Sequence, residues 1–398
     1  MTPPRTIRFG EFIALMALMM ATVAYSVDAM LPLLDPIGEA LSPEATERAQ
    51  LVMTVFLLGL GMGTFVAGPL SDSFGRKRVI LSGFALYMAA AVVAAMAPDM
   101  TTLLAARFVQ GLGAAAPRVV SQALVRDLHS GRMMARVISF SMTVFTLVPA
   151  VAPLIGAGLG ALYGWRAIFW SFVVFGAIAS LWMSTRLGET LPPEKRRKLN
   201  LGALGRAFAE VVGHPRVRLY LLAQTLVYST MFIWLSEVAL IFAGYFGRED
   251  SFPRWFALVA ILSAPSSFLN GRLVLRLGMR RLAVMAITAQ CATALVAVLV
   301  FATTEPGSMF WIFMLFMMTQ FFAIGFMIGN LNALALEPMG HIAGMASSVM
   351  GGVSTVAAAF VAIPMSYAHD GTPLPLAIAV LFMALLNAGV MRFAQRYD

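Results

Sequence analysis

Long apolar runs, each closed by charged residues or by Gly/Pro clusters, recur along the chain at 11–34, 50–70, 79–97, 101–125, 137–160, 165–185, 217–243, 254–275, 282–304, 309–334, 344–366 and 373–392. Each is long enough to cross a hydrocarbon layer of about 30 Å. Backbone groups in such a layer have to be satisfied within the segment, which at this length selects the helix. The pattern therefore predicts an all-α membrane protein of twelve transmembrane helices. The longest polar stretch, Arg186 to Arg218, contains Pro192-Pro193 and the run Lys195-Arg196-Arg197-Lys198, and it separates six runs from six. It predicts an N-terminal six-helix half over 1–185, a solvated, orientation-setting linker over 186–216 and a C-terminal six-helix half over 217–398.

Composition sharpens this picture. Hydrophobic residues make up 60% of the chain and charged residues 12%, about half the charge of a soluble globular protein. The net charge of +9 would suggest nucleic acid in a soluble chain, but here the bases sit in short loops without interleaved aromatics, so no nucleic-acid partner is expected. With the N-terminus placed in the cytoplasm, 22 of the 28 Lys and Arg fall on the cytoplasmic side; Arg48, Arg166, Arg248 and Arg254 fall outside, and Arg107 and Arg118 fall within a run. That bias sets both termini in the cytoplasm. Arg5 and Arg8 before the first run resemble a signal peptide, but the run continues to Leu34 without a small-residue cleavage site and reads as an uncleaved span. The single Cys291 excludes an intramolecular disulfide and reads as a small buried hydrophobe. Hydrolase, zincin and nucleotide-binding motifs are absent, and His129, His214, His341 and His369 lack metal-ligand spacing. Neither an enzyme, nor a metal, nor a cofactor is expected.

The two halves also repeat. The loop after the second run, Gly68-Pro-Leu-Ser-Asp-Ser-Phe-Gly75-Arg76-Lys77-Arg78, and the loop after the eighth, Gly271 to Gly278-Met-Arg280-Arg281, both place two glycines seven positions apart before basic residues. Repeated halves of this kind commonly enclose a path between them, with the site near the midplane. Ionisable residues inside apolar runs are costly and mark such paths; here they are Asp28, Arg107, Arg118 and Glu237. Asp28 and Arg107 each lie about six residues, roughly 9 Å, from the outer end of their runs, which suggests an ion pair, and Glu237 lies at similar depth in the other half. Arg107 and Arg118 are eleven residues apart, about three helical turns, and so share a face. The 28 Met and 29 Phe mostly fill space against lipid and between helices. Tyr25, Met30, Tyr228, Phe232, Phe321 and Asn332, with Gln320 and Asn330 as polar members and Arg118 on its stripe, are the candidates for a substrate cavity.

Several segments carry a family resemblance. Gly68 to Arg78, with Gly68, Asp72, Gly75, Arg76 and Arg78 in place and Ser73 where a basic residue is usual, resembles the signature loop between helices 2 and 3 of major facilitator transporters. The resemblance implies a conformational gate in which Asp72 helps to close the cytoplasmic side against helix 11. Arg107-Phe-Val-Gln110-Gly111-Leu-Gly113 is similar to the helix-4 motif of proton-coupled members. Pro149, Pro153 and Gly156 resemble the helix-5 antiporter motif, with Ala152 and Ala157 where Gly is usual. Ser26-Val-Asp28-Ala-Met-Leu-Pro32, Val125-Arg126-Asp127, Gly164-Trp165-Arg166 and Gly340 to Gly352 add a likeness to the bicyclomycin/chloramphenicol-resistance (Bcr/CflA) drug-efflux family. Helices 7 to 9 match poorly.

The resemblance implies a monomeric proton-coupled antiporter of the bacterial inner membrane. It would export small lipophilic compounds by alternating access, driven by the proton gradient, with protons, substrate and the bilayer as its partners. Asp28 or Glu237 would exchange the proton and Arg107 would tune it. A metabolite importer or symporter on the same fold, and a non-transporting membrane sensor or scaffold, are the alternatives.

Overall fold

The computed structural model describes residues 7–129, 131–196, 201–303, 309–368 and 371–397; Arg5, Arg197, Lys198 and His369 lie outside them. The described residues are helical almost throughout and contain no strand. The first half consists of α1 (Phe9–Asp28), α2 (Leu34–Leu41), α3 (Leu51–Phe74), α4 (Arg76–Ala95), α5 (Met100–Leu128), α6 (Gly131–Tyr163) and α7 (Arg166–Arg186). A connecting helix, α8 (Leu201–Gly213), leads to α9 (Pro215–Leu240), α10 (Phe252–Ser263), α11 (Pro265–Leu277), α12 (Met279–Thr303), α13 (Phe310–Leu336), α14 (Ala343–Ala368) and α15 (Pro373–Ala394).

Two pairs are single spans broken by proline. A 3₁₀ turn at Leu31–Leu33, holding Pro32, joins α1 to α2, so the first span reaches Leu41, beyond the run that ended at residue 34. Pro265, which cannot donate to the preceding turn, divides α10 from α11. Among the described residues, ten stretches are long and apolar enough to cross a membrane, and Val148–Tyr163 adds a shorter apolar helix. Helix α5 falls outside the ten; it carries Arg107, Arg118, Arg126 and Asp127. The whole is the twelve-helix arrangement of two six-helix halves.

The linker is more ordered than its polarity suggests. Helix α8 puts Ala207 and Val211 on one stripe, both buried. Val211 packs with Val217, Leu331, Ala346 and Val349 of the second half. The apolar spacing in Leu201 to Gly213 gives a short helix a face to bury.

Small residues set the closest seams. A Cβ on Gly59 would strike the carbonyl oxygen of Phe108, and one on Gly111 that of Phe56, so α3 and α5 touch backbone to backbone, as small residues permit in bilayers. The halves meet along α3 and α14 and along α6 and α10. Helices α3 and α14 run antiparallel, with Gly61 against Val356, Gly352 against Phe65 and Gly68 against Ser348. The start of α1, the ends of α3, α5, α7 and α15 and the starts of α4 and α12 gather on one face, termed here the terminal face; its links include Glu11 with Arg186, Phe12 with His129 and Arg280 with Met391.

Candidate functional site

Between the halves lies a cavity of about 280 Å³. From the first half come Val23, Ala24, Val27 and Asp28 of α1, Leu57 of α3 and Pro149 of α6. Facing them are Met231, Phe232 and Leu235 of α9, residues of the α10–α11 break, and Phe321, Ile324 and Ile328 of α13. The lining is apolar except for Asp28 and the serines of the break. Asp28 is 4% exposed, and among the described residues its carboxylate makes no hydrogen bond or ion pair. A lone carboxylate in an apolar recess is costly unless it binds a proton or a cation.

The backbone around Asp28 is held from two sides. Pro149 lines the cavity, and about two turns further along α6 there is no room for a Cβ at Gly156, which would strike the carbonyl oxygen of Ala29. The proline–glycine helix thus lies directly on the residue after Asp28. On the other side stands Arg107, fully buried. Its guanidinium donates to the carbonyl oxygens of Ser26 (3.0 Å) and Val52 (3.3 Å) and to Gln110 Oε1 (2.7 Å), and it lies 4.3 Å from the Phe56 ring centre. The expected Asp28–Arg107 ion pair is therefore not formed. The two share a depth, but the arginine turns to the carbonyl of Val52 at the start of α3 and to that of Ser26 in the last turn of α1, where a cation is favoured. Ser26 Oγ donates to Thr22 O (2.6 Å) and shares a 2.6 Å hydrogen bond with Tyr87 Oη. Arg107 thus fixes the turn that carries Asp28 and does not neutralise it.

The remaining candidates divide by helix face. Phe232 and Phe321 line the cavity, and Tyr228 stacks on Phe232 at 6.2 Å. Tyr25 turns instead toward α7, sharing a 2.8 Å hydrogen bond with Ser171. Met30 is in the core. Gln320 donates to Thr293 (2.8 Å), and Asn330 donates to Asn270 Oδ1 (2.7 Å) and Phe326 O (2.8 Å). These polar groups find their hydrogen-bond partners inside a half and leave the path apolar. Arg118 and Asn332 are half-buried and do not line the cavity, and neither does Glu237, buried near the end of α9.

The α10–α11 break supplies polar groups that the sequence reading missed. Ser263, Ser266 and Ser267 line the cavity opposite Asp28, and the buried Ser263 Oγ is without a partner. A Cβ at Gly325 would collide with Ser266 Oγ, so the glycine lets α13 close on the break. The signal was present as Pro265 flanked by serines inside an apolar run.

A second polar cluster occupies the terminal face. Gly75 adopts φ +100°, a conformation open to glycine, and turns α3 into α4. Arg76 pairs with Asp72, reaches Asp127 at 3.1 Å and donates to Ser71 Oγ at 2.6 Å. Its backbone N–H donates to Glu189 Oε1 at 2.9 Å, and Thr190 Oγ1 donates to Asp127 at 3.1 Å. Glu189 was not anticipated; it stands in a loop separated from Arg76 by more than a hundred residues. Arg78 is exposed. Gly68, Asp72 and Arg76 share a pocket of about 250 Å³ with Gly344 to Ser348 at the start of α14, so the cluster adjoins the inter-half seam.

The Major Facilitator Superfamily model matches residues 12–362. The chain is 30% identical to the bicyclomycin resistance protein homolog of Haemophilus influenzae, over 86% of this chain and 85% of the relative. It is 28% identical to the uncharacterized MFS-type transporter YdgK of Bacillus subtilis (91% and 90%) and to the multidrug resistance protein MdtL of Escherichia coli O157:H7 (76% and 75%). Its backbone resembles that of the xylose transporter XylE of E. coli in a partially occluded inward-open conformation, with a TM-score of 0.76 over 97% of both chains at 14% identity. It also resembles the human organic anion transporter MFSD10, with a TM-score of 0.68 over 97% of this chain and 100% of that one at 19% identity. Two six-helix halves closed around a central recess, together with a family match over most of the length, make this an integral membrane transporter that belongs to the major facilitator superfamily.

Proposed function

We propose that the protein exports small lipophilic compounds in exchange for protons, by alternating access, in a bacterial inner membrane with both termini cytoplasmic. The observation that carries this reading is Asp28, the acidic group of an otherwise apolar cavity shared by both halves. A carboxylate that holds either a proton or a substrate couples the two fluxes by competition alone. The apolar walls suit lipophilic cargo, and the resistance proteins among the relatives support efflux. Arg107 acts as a positioning residue, through the carbonyl of Ser26, and Glu237 is the second carboxylate to test. The Asp72–Arg76–Asp127 cluster serves as the gate on the cytoplasmic side. The proton gradient is the energy source, without a bound cofactor, and one chain suffices because the cavity lies between its own halves.

The test is flux in liposomes with an imposed pH gradient and bicyclomycin as the probe. Wild-type protein should move the drug uphill, against the proton flow; co-directional movement would mark a symporter. Asp28→Asn, a fixed mimic of the protonated state, should reduce uphill flux to the passive leak. Wild-type flux in that variant would overturn the assignment. Loss in Glu237→Gln alone would transfer the proton site to α9.

A further inference from the structure

Outside the central path, a recess of about 490 Å³ lies between α12 and α15. Its walls are Val284, Ile287 and Cys291 on one side and Leu385, Ala388 and Gly389 on the other, with Arg392 and Gln395 at the terminal-face end. A Cβ on Gly389 would meet nothing within 4 Å, so the seam is open there. Helical spacing extends the same stripes to further bases. Arg281 lies seven residues before Thr288, which also lines the recess, and Arg396 lies four residues after Arg392. All three arginines are exposed. Among the described residues neither Arg281 nor Arg392 has a hydrogen bond or ion pair, and Arg396 only covers the neighbouring Phe393 ring.

The matching seam of the first half, α4 against α7, is built differently. Met88 fills it at Gly176. Lys77 donates to the carbonyl oxygens of Ser184 (2.8 Å) and Leu187 (2.6 Å), and Arg186 pairs with Glu11. There the gap is closed at Gly176, and Lys77 and Arg186 are bound to protein. In the second half Arg280 is bound to the Met391 carbonyl oxygen, but the gap at Gly389 and the bases Arg281, Arg392 and Arg396 stand open.

We propose that the α12–α15 recess binds an anionic phospholipid. One acyl chain lies along Gly389 and Cys291, and Arg392 holds the headgroup phosphate with Arg281 and Arg396 beside it. The recess opens toward hydrocarbon because both helices cross the membrane, and its apolar walls give water few partners. Its cationic end favours net negative charge over a zwitterion. A second copy is a poor occupant, since a two-fold contact opposes each patch to itself and would set these arginines against one another.

Native mass spectrometry of delipidated protein, titrated with phosphatidylglycerol or with phosphatidylcholine of equal chain length, tests the site. Phosphatidylglycerol should be retained preferentially, and Arg392→Gln should lower that preference about 5-fold, the contribution of one base near an anionic headgroup. Gly389→Leu, whose Cβ would meet nothing within 4 Å, should weaken retention of both lipids by filling the acyl groove. The thiol of Cys291 locates the occupant: phosphatidylglycerol should slow its alkylation by a maleimide in wild type and not in Gly389→Leu. Equal retention of the two lipids, or unchanged preference in Arg392→Gln, would leave only unselective annular lipid and overturn the proposal. So would protection of Cys291 by dimer formation in place of lipid, or displacement of the bound species by inorganic phosphate with Gly389→Leu unaffected.

Discussion

The two halves share a helix order but satisfy their buried polar groups by different chemistry. The first half buries a full charge, Arg107, and fastens its terminal face with Arg76, Asp72, Asp127 and Glu189. The second half buries one carboxylate, Glu237, and more amides than the first: Gln224, Gln290, Gln320, Asn330 and Asn387 against Gln50 and Gln110. Among its described residues the ion pair of Arg216 with Glu337, at 2.7 Å, is at the surface. The repeated loops make the contrast local. Gly75 and Gly278 both take positive φ, so the backbone turns alike; yet Glu189 packs against Gly75, and nothing lies within 4 Å of a Cβ at Gly278. Pseudo-symmetry here belongs to backbone geometry, while the buried guanidinium and the multi-member ionic cluster belong to the first half.

Removing the buried cation should separate the halves most sharply. Arg107→Ala deletes three hydrogen bonds and the contact with Phe56, leaves Gln110 Oε1 without its partner and opens a cavity. A loss of about 3 kcal/mol is expected. Gln320→Leu removes one bond to Thr293 from a group whose Oε1 is already unpartnered, and should cost about 0.6 kcal/mol, the usual worth of an interhelical hydrogen bond in a bilayer protein. Unfolding midpoints in mixed micelles measure both. Similar losses in the two variants would mean that the halves do not differ in how their polar cores contribute.

The same contrast explains what was legible in the sequence. Apolar run length located the spans, and the spacing of Gly68, Asp72, Gly75 and Arg76 located the polar cluster of the terminal face. Depth along a span was also legible, since each residue adds about 1.5 Å; that is why Asp28 and Arg107 were placed at one level. The direction a side chain takes around its helix was not. Arg107 therefore faces the carbonyls of Ser26 and Val52, while Tyr25, Gln320 and Asn330 meet partners inside their own halves. Asp28 reaches the cavity because α1 borders the other half at that level. Glu189 was hidden because its partner is distant in sequence, and α8 because a basic linker masks a short apolar stripe. The α10–α11 kink was concealed by continuous hydropathy, although Pro265 stands within it.

A smaller effect is expected at the repeated loops. Arg76 is mostly buried and serves two carboxylates, whereas the repeated loop has Met279 at that position and its first base, Arg280, donates to the carbonyl oxygen of Met391 at 3.1 Å. Arg76→Gln leaves Asp72 and Asp127 near each other without their shared base. Because Asp72 is well exposed, water screens much of that repulsion, and the loss should be about 1–2 kcal/mol. Arg280→Gln should lose less than 1 kcal/mol. Transport should follow the same order if the gate acts from the first half. Equal sensitivity of the two loops would return the gate to a symmetric device.

The smallest predicted difference lies at the starts of α5 and α13, the fourth span of each half. Asp99 caps α5: its carboxylate accepts from the Thr102 backbone N–H at 2.9 Å and from Thr102 Oγ1 at 3.0 Å. The backbone bond, then the hydroxyl bond, holds the Asp99 carboxyl below its usual range. Helix α13 begins after Met309, which makes no side-chain cap bond. A carboxyl whose value is lowered on folding contributes its stability above the unfolded value, about 3.9, and loses it as pH falls through the lowered folded value. The first-turn amide of Thr102 should therefore be protected from hydrogen exchange at pH 5, after correction for intrinsic rates, and lose protection in acid. Asp99→Ala should remove the protection at pH 5 and the pH dependence together, whereas Asp99→Asn should keep much of the cap and lose the pH dependence alone. The first turn of α13 should show no such titration. If Asp99→Ala exchanges like wild type at pH 5, the cap does not hold this helix end, and the polar asymmetry between the halves stops short of their helix starts.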